Sequence, residues 1–184
     1  MLPLTAFGPR DVLGADLQPP APTGKPSHYP QTPEKWADVA SESPTPLADV
    51  YQMLCEADVS LFDQIRRFRG PWLVSRGDDS DHRIITASVA FLSATGHRGT
   101  DIFNLNCKKL QGNECNKGVN KRANAKLNAA FKADDDVHVL LRNFRADGSV
   151  FGNSLTVLSL RGKDGKALYR LGVVKVLYPP EDDD

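Results

Sequence analysis

The sequence predicts an α+β fold in which a five-stranded antiparallel sheet covers a run of short helices and encloses one cavity. Two observations carry this. Apolar residues recur with period two at both ends of the stretch from Gly70 to Tyr178, and at spacings of three and four in its middle. The period-two runs are joined by RGDDSDH, Asp147-Gly148 and Gly162 to Gly165, polar or glycine-bearing turns of the kind that connect antiparallel neighbours. The order is therefore two strands, several helices, three strands.

Residues 1–46 carry most of the prolines, including PPAPTGKP and ESPTP, and few large apolar side chains, which predicts a flexible N-terminal arm. Residues 47–69 follow as a helical cap. Leu47, Val50, Tyr51, Leu54, Val59, Leu61, Phe62 and Ile65 form a stripe at helical spacing that needs a partner, with a break expected near Asp58 to Ser60. Residues 70–178 form the core domain. PWLVS and RIITA read as its first two strands. Ser88 is placed to cap a short helix, VAFLSAT, that Gly96 ends; Thr100 is placed to cap the turn DIF; and NCKKLQ makes a third short helix. A longer helix spans roughly Val119 to Phe131. VHVLLRNF, SVFGNSLTVLSL and ALYRLGVVKVLY then supply three strands, before an acidic tail at 179–184.

Composition excludes several functions. Lys plus Arg number 23 and Asp plus Glu 23, so no net charge draws nucleic acid or an anionic membrane to the chain. Cys55, Cys107 and Cys115 form neither a CxxC pair nor a disulfide framework, which favours a reducing compartment and no metal. No apolar run is long enough to span a bilayer, and the first residues lack a secretory leader pattern. These features predict an intracellular, soluble protein. No base–nucleophile pair stands out, and the chain does not read as an enzyme.

The strands hold polar residues on apolar rows. Val137, Val139, Leu141 and Asn143 share one face of their strand, and Phe151, Asn153, Leu155 and Val157 share one of the next. The two asparagines lie on opposite arms of the Asp147-Gly148 hairpin and enter one cavity if both rows face inward. An amide pair of this kind suits a ring edge with alternating donors and acceptors, or the amides bond each other or backbone. Cys107 and Gln111 stand four apart on one helical face with Leu110 beside them, and Lys108 points away from that face.

Ile84 to Cys107, IITASVAFLSATGHRGTDIFNLNC, resembles without a gap the segment that leads to the reactive cysteine of light-oxygen-voltage (LOV) domains in the PAS superfamily. Asn106-Cys107-Lys108-Lys109-Leu110-Gln111 resembles that family's Asn-Cys-Arg-Phe-Leu-Gln signature. Asn143 and Asn153 fall where the family has its two pyrimidine-contacting asparagines, and Asn153 to Gly172 also aligns without a gap. The resemblance implies a noncovalently held flavin, FMN favoured and FAD possible, and a short LOV-type blue-light receptor. Cys107 would form a reversible bond to flavin C4a, with Asn106, Lys108, Leu110, Gln111, Asn143, Asn153, Leu155, Gly172, Val174 and Lys126 around the flavin.

Several positions depart from the pattern. Val174 stands where the family usually has a glutamine that contacts flavin N5 and O4, and Lys175 points the other way. Lys108 replaces a phosphate-binding arginine, giving charge without the bidentate fork. A second basic residue falls on Lys121, Arg122 or Lys126. Arg170 replaces an aromatic residue, Leu155 often a phenylalanine, and Asn104-Leu105 a Gly-Arg pair. Output is expected through the cap, through a homodimer or through a signalling partner. The alternative expectation is a light-insensitive PAS-type adaptor with weak or no flavin binding.

Overall fold

A computed structural model describes residues 47–177; the N-terminal arm at 1–46 and the acidic tail at 179–184 lie outside the described residues. Five strands form one antiparallel sheet: β1 (Trp72–Arg76), β2 (Ile84–Ala87), β3 (Val137–Phe144), β4 (Val150–Arg161) and β5 (Ala167–Leu177), in the order β2-β1-β5-β4-β3. The last strand thus sits at the centre and joins the two hairpins. Alternation puts Leu73, Leu141, Asn143, Asn153, Leu155, Gly172 and Val174 on the inner face, over the helices.

The outer face is also covered. α1 (Leu47–Met53) and α2 (Glu56–Arg67) bury Val50, Leu54, Phe62 and Ile65 against Trp72, Val74, Leu158, Leu160 and Leu171. The sequence predicts the break in this segment near Asp58; it falls at Leu54-Cys55 instead. The cause is a tie to the β4–β5 turn. Leu54 bridges Gly162, Cys55 N–H donates to Arg161 O at 2.8 Å, and buried Asp58 accepts from Arg161 N–H at 2.6 Å. Asp58 therefore belongs to α2 as a docking group.

Between β2 and β3 run α3 (Val89–Thr95), α4 (Gly99–Ile102), a 3-10 segment (Cys107–Glu114) and α5 (Gly118–Ala133). Ser88 caps α3 by accepting from Phe91 N–H at 3.1 Å, and Gly96 ends it at φ +70°, as its sequence predicts. Ser88 Oγ also accepts from Trp72 N–H at 3.0 Å, so the cap fixes the helix to β1. Thr100 lies inside α4 rather than capping it. Arg98 takes the N-cap position, and its backbone and guanidinium both donate to Asp101. Asn104 follows at φ +63°, a left-handed conformation that asparagine tolerates better than most residues.

α5 is fastened to the edge strand by amides. Asn120 donates to Arg142 O at 2.8 Å and accepts from Arg142 N–H at 2.7 Å, so its side chain pairs with β3 as another strand would. This satisfies backbone groups at a sheet edge otherwise open to mispairing. Ala123, Leu127, Val137, Val139, Leu141 and Val157 fill the space beneath.

Candidate functional site

The inner sheet face, the 3-10 segment and α5 enclose a cavity of about 140 Å3. Its floor is formed by Leu73 and Ser75 on β1, Leu141 and Asn143 on β3, Asn153, Leu155 and Val157 on β4, and Arg170, Gly172 and Val174 on β5. Asn106, Cys107, Lys108, Leu110 and Gln111 approach from the 3-10 segment. Asn124, Leu127, Asn128 and Phe131 approach from α5.

One end is built by the two asparagines. Register pairs Leu141 with Asn153 and Asn143 with Phe151, so the amides are diagonal neighbours on one face. Asn143 is 2% exposed and Asn153 4%, and the Oδ1 of each is buried without a hydrogen-bond partner. Such oxygens cost about 1–3 kcal/mol each when left unmatched, so they call for a donor inside the cavity. The reading in which the amides satisfy each other leaves these acceptors unexplained.

Cys107 lies on the wall. The 3-10 segment starts at Asn106, whose Oδ1 accepts from Lys108 N–H at 2.9 Å and whose Nδ2 donates to Asp81 O. Asn106 thus pins the segment to the β1–β2 connection. The sequence predicts an α-helical face for Cys107 and Gln111; the segment is 3-10 and is broken by Gly112 at φ +50°, yet both residues line the cavity. Part of the Cys107 residue reaches the surface, but its thiol is closed off, and burial pushes it up from an ordinary 9.0 to about 12. The thiol is protonated at neutral pH.

Gln111 is not free. Its amide pairs reciprocally with Asn124, at 3.1 Å and 2.8 Å, and Asn124 also donates to Cys115 O at 2.7 Å. Lys108 is exposed at the cavity mouth. Lys126 corrects an expectation: its ammonium donates to His138 O at 3.0 Å and lines a separate surface groove, away from the cavity. Lys121 and Arg122 are exposed and do not reach the cavity either.

The far end was less visible in the sequence. Arg170 reaches it from β5, Phe131 from α5, and His82, at φ +46°, from the β1–β2 connection. His82 meets the Phe131 ring edge-on with centroids 4.7 Å apart, and the Arg170 guanidinium lies 4.9 Å from the same ring. Asn124 had one available signal: with Asn120 it makes an i, i+4 pair on a face otherwise of Ala and Leu. Among the described residues no group is arranged to hold a metal ion, and no helix is long and apolar enough to cross a membrane.

Three comparisons bear on this geometry. No family model matches the chain. A blue-light-activated histidine kinase of Rhizobium johnstonii is 34% identical over 58% of this chain and 30% of its own length. A blue-light photoreceptor of Listeria monocytogenes is 30% identical over 60% of this chain and 42% of its own. A solved structure described in terms of a flavin analogue and light-oxygen-voltage domain mechanism is 30% identical, with a TM-score of 0.58 over 65% of this chain and 85% of that one. The chain belongs to the light-oxygen-voltage family. Its five-stranded antiparallel sheet with helices is the LOV architecture, and LOV domains bind flavin. The LOV match accounts for the core rather than for whole relatives, since the chain spans less than half the length of the two curated proteins.

Proposed function

We propose that this chain is a blue-light receptor that holds a flavin, with FMN preferred to FAD, and that Cys107 bonds the flavin reversibly in the light. The carrying observation is the convergence of Cys107 and two unmatched asparagine oxygens on one cavity. The flavin supplies light absorption and an excited state that reacts with a thiol. Asn143 and Asn153 meet the pyrimidine edge of the ring, an amide oxygen accepting from its single N–H and amide nitrogens donating to the carbonyls beside it, and so set the ring's register. Gly172 keeps the floor low enough for a planar ring, because a Cβ there would lie 3.3 Å from Leu155 Cδ1 and 3.5 Å from Leu73 Cγ. Lys108 takes a phosphate at the mouth. Cys107 starts as a neutral thiol, so its S–H would add across the flavin C4a–N5 double bond, sulfur to C4a and the proton to N5.

Val174 is 3% exposed on the floor, where it packs with Leu73 and Leu110 and offers no hydrogen bond. Rearrangement after the light reaction therefore passes to groups other than residue 174, and the Gln111–Asn124 pair on the opposite wall is the amide group positioned to respond. Output runs from the core, read as residues 70–178, to the cap at 47–69, to a second copy, or to a signalling partner. The test is reconstitution of the purified chain with FMN and with FAD. A yellow protein that binds FMN at least as tightly supports the reading. A protein that stays colourless with both supports a light-insensitive adaptor instead.

A further inference from the structure

We propose that Arg170 and Asp134 set the electron affinity of the flavin in this cavity, with Arg170 as a fixed cation at the end remote from the asparagines. The inference rests on the flavin reading and concerns residues that reading leaves without a role. Arg170 is 2% exposed and pairs with Ser159 across β4 and β5, six residues along β4 from Asn153. It shares the inner row with Gly172 and Val174, and so forms the far floor of the cavity.

Its guanidinium is held tightly. One terminal nitrogen donates to Ser159 Oγ; the other donates to Phe131 O at 2.9 Å and to Asp134 Oδ1 at 2.6 Å. The third nitrogen, Nε, is buried and has no partner. An unmatched donor on a residue that lines the cavity leaves part of the guanidinium charge without a protein acceptor.

The charge balance points the same way. Lys108 and Arg170 are the permanent charges among the cavity-lining residues, and no carboxylate lines it. Asp134 neutralises Arg170 only from outside: it is not a lining residue, and its side chain is 39% exposed, so solvent screens it more than it screens Arg170. A buried unit charge several ångströms from a ring, at an effective dielectric of about 20, changes the ring's electron uptake by about tenfold or more. A neutral Cys107 thiol is a weak electron donor, which makes an electron-poor acceptor useful here.

A purely structural role is the competing account, since Arg170 also ties the C-terminal end of α5 to the sheet. It predicts stability changes and no signed electronic effect. The experiment equilibrates the flavin-loaded chain with a reference dye under reducing conditions in the dark and reads the oxidised and reduced flavin fractions. Arg170→Met should shift the equilibrium about tenfold toward oxidised flavin. Asp134→Asn should shift it the other way, with little backbone cost because asparagine tolerates the φ of +54° at this position. Arg170→Lys should stay within about threefold of the wild type.

Shifts of the same sign in the Met and Asn variants, or no shift in either while flavin stays bound, overturn the proposal. If Arg170→Met loses the flavin, Asp134→Asn decides alone: a shift toward reduced flavin sustains the proposal and no shift overturns it. A wild-type chain that takes up no flavin overturns the flavin reading, and this inference with it.

Discussion

Replacing Asn153 by leucine should move flavin affinity and fold stability in opposite directions. In the flavin-free chain Asn153 Oδ1 is buried without a partner, at a cost of about 1–3 kcal/mol. Leucine has the same number of side-chain heavy atoms and removes the unmatched oxygen, and the adjoining cavity accommodates its bulkier methyl groups. Cavity water offsets part of the asparagine's cost, so the gain in stability should lie at the lower bound, about 1 kcal/mol. Flavin binding loses a buried hydrogen bond and leaves a polar group of the pyrimidine edge unmatched, which weakens affinity by about 1–3 kcal/mol, or roughly 5-fold to 150-fold. Urea denaturation of the flavin-free chain and titration of flavin fluorescence give the two quantities. A variant that is less stable while binding flavin as before would show Asn153 to be an ordinary core amide and refute the reasoning.

Other perturbations test separate links. Gly172→Val fills the floor between Leu155 and Leu73, and should weaken flavin binding by more than about tenfold while circular dichroism stays that of the folded chain. Phe62→Ala removes a fully buried ring from beneath the cap and should cost about 3–5 kcal/mol, with earlier proteolysis in α1 and α2 than in the sheet. The Cys107 thiol is raised in the folded state, from 9.0 to about 12, so its contribution to stability is complete below pH 9.0 and is lost as pH climbs toward about 12. The loss approaches about 1.4 kcal/mol per pH unit in that window, and Cys107→Ala should abolish this component in urea melts at about pH 8 and about pH 10.

Most of the fold was legible because its signals are local. The alternation of β3 and the Ser88 and Gly96 ends of α3 are properties of short stretches, and the structure reproduces them. The asparagine rows were legible for the same reason. Polar residues on an apolar face stand out by parity alone, and both are buried as that parity requires. What failed depends on distant partners. The cap breaks at Leu54-Cys55 because Arg161 and Gly162, more than a hundred residues later, supply its hydrogen bonds. Lys126 missed the cavity because helical phase turned it toward His138. Arg170 was visible only as an odd residue in a strand. Its buried charge with an unpartnered Nε is held by Ser159, Phe131 and Asp134, which meet it only in space.

The central claim is that Cys107 and the flavin cavity form one photochemical unit, and a light-minus-dark absorption spectrum of the FMN-loaded chain tests it directly, with Cys107→Ala alongside. The account predicts that the wild-type chain loses its blue absorption band on illumination and regains it in darkness, while the alanine variant stays yellow throughout. A wild-type chain that binds FMN and keeps its band under blue light, or an alanine variant that bleaches and recovers as the wild type does, would contradict it.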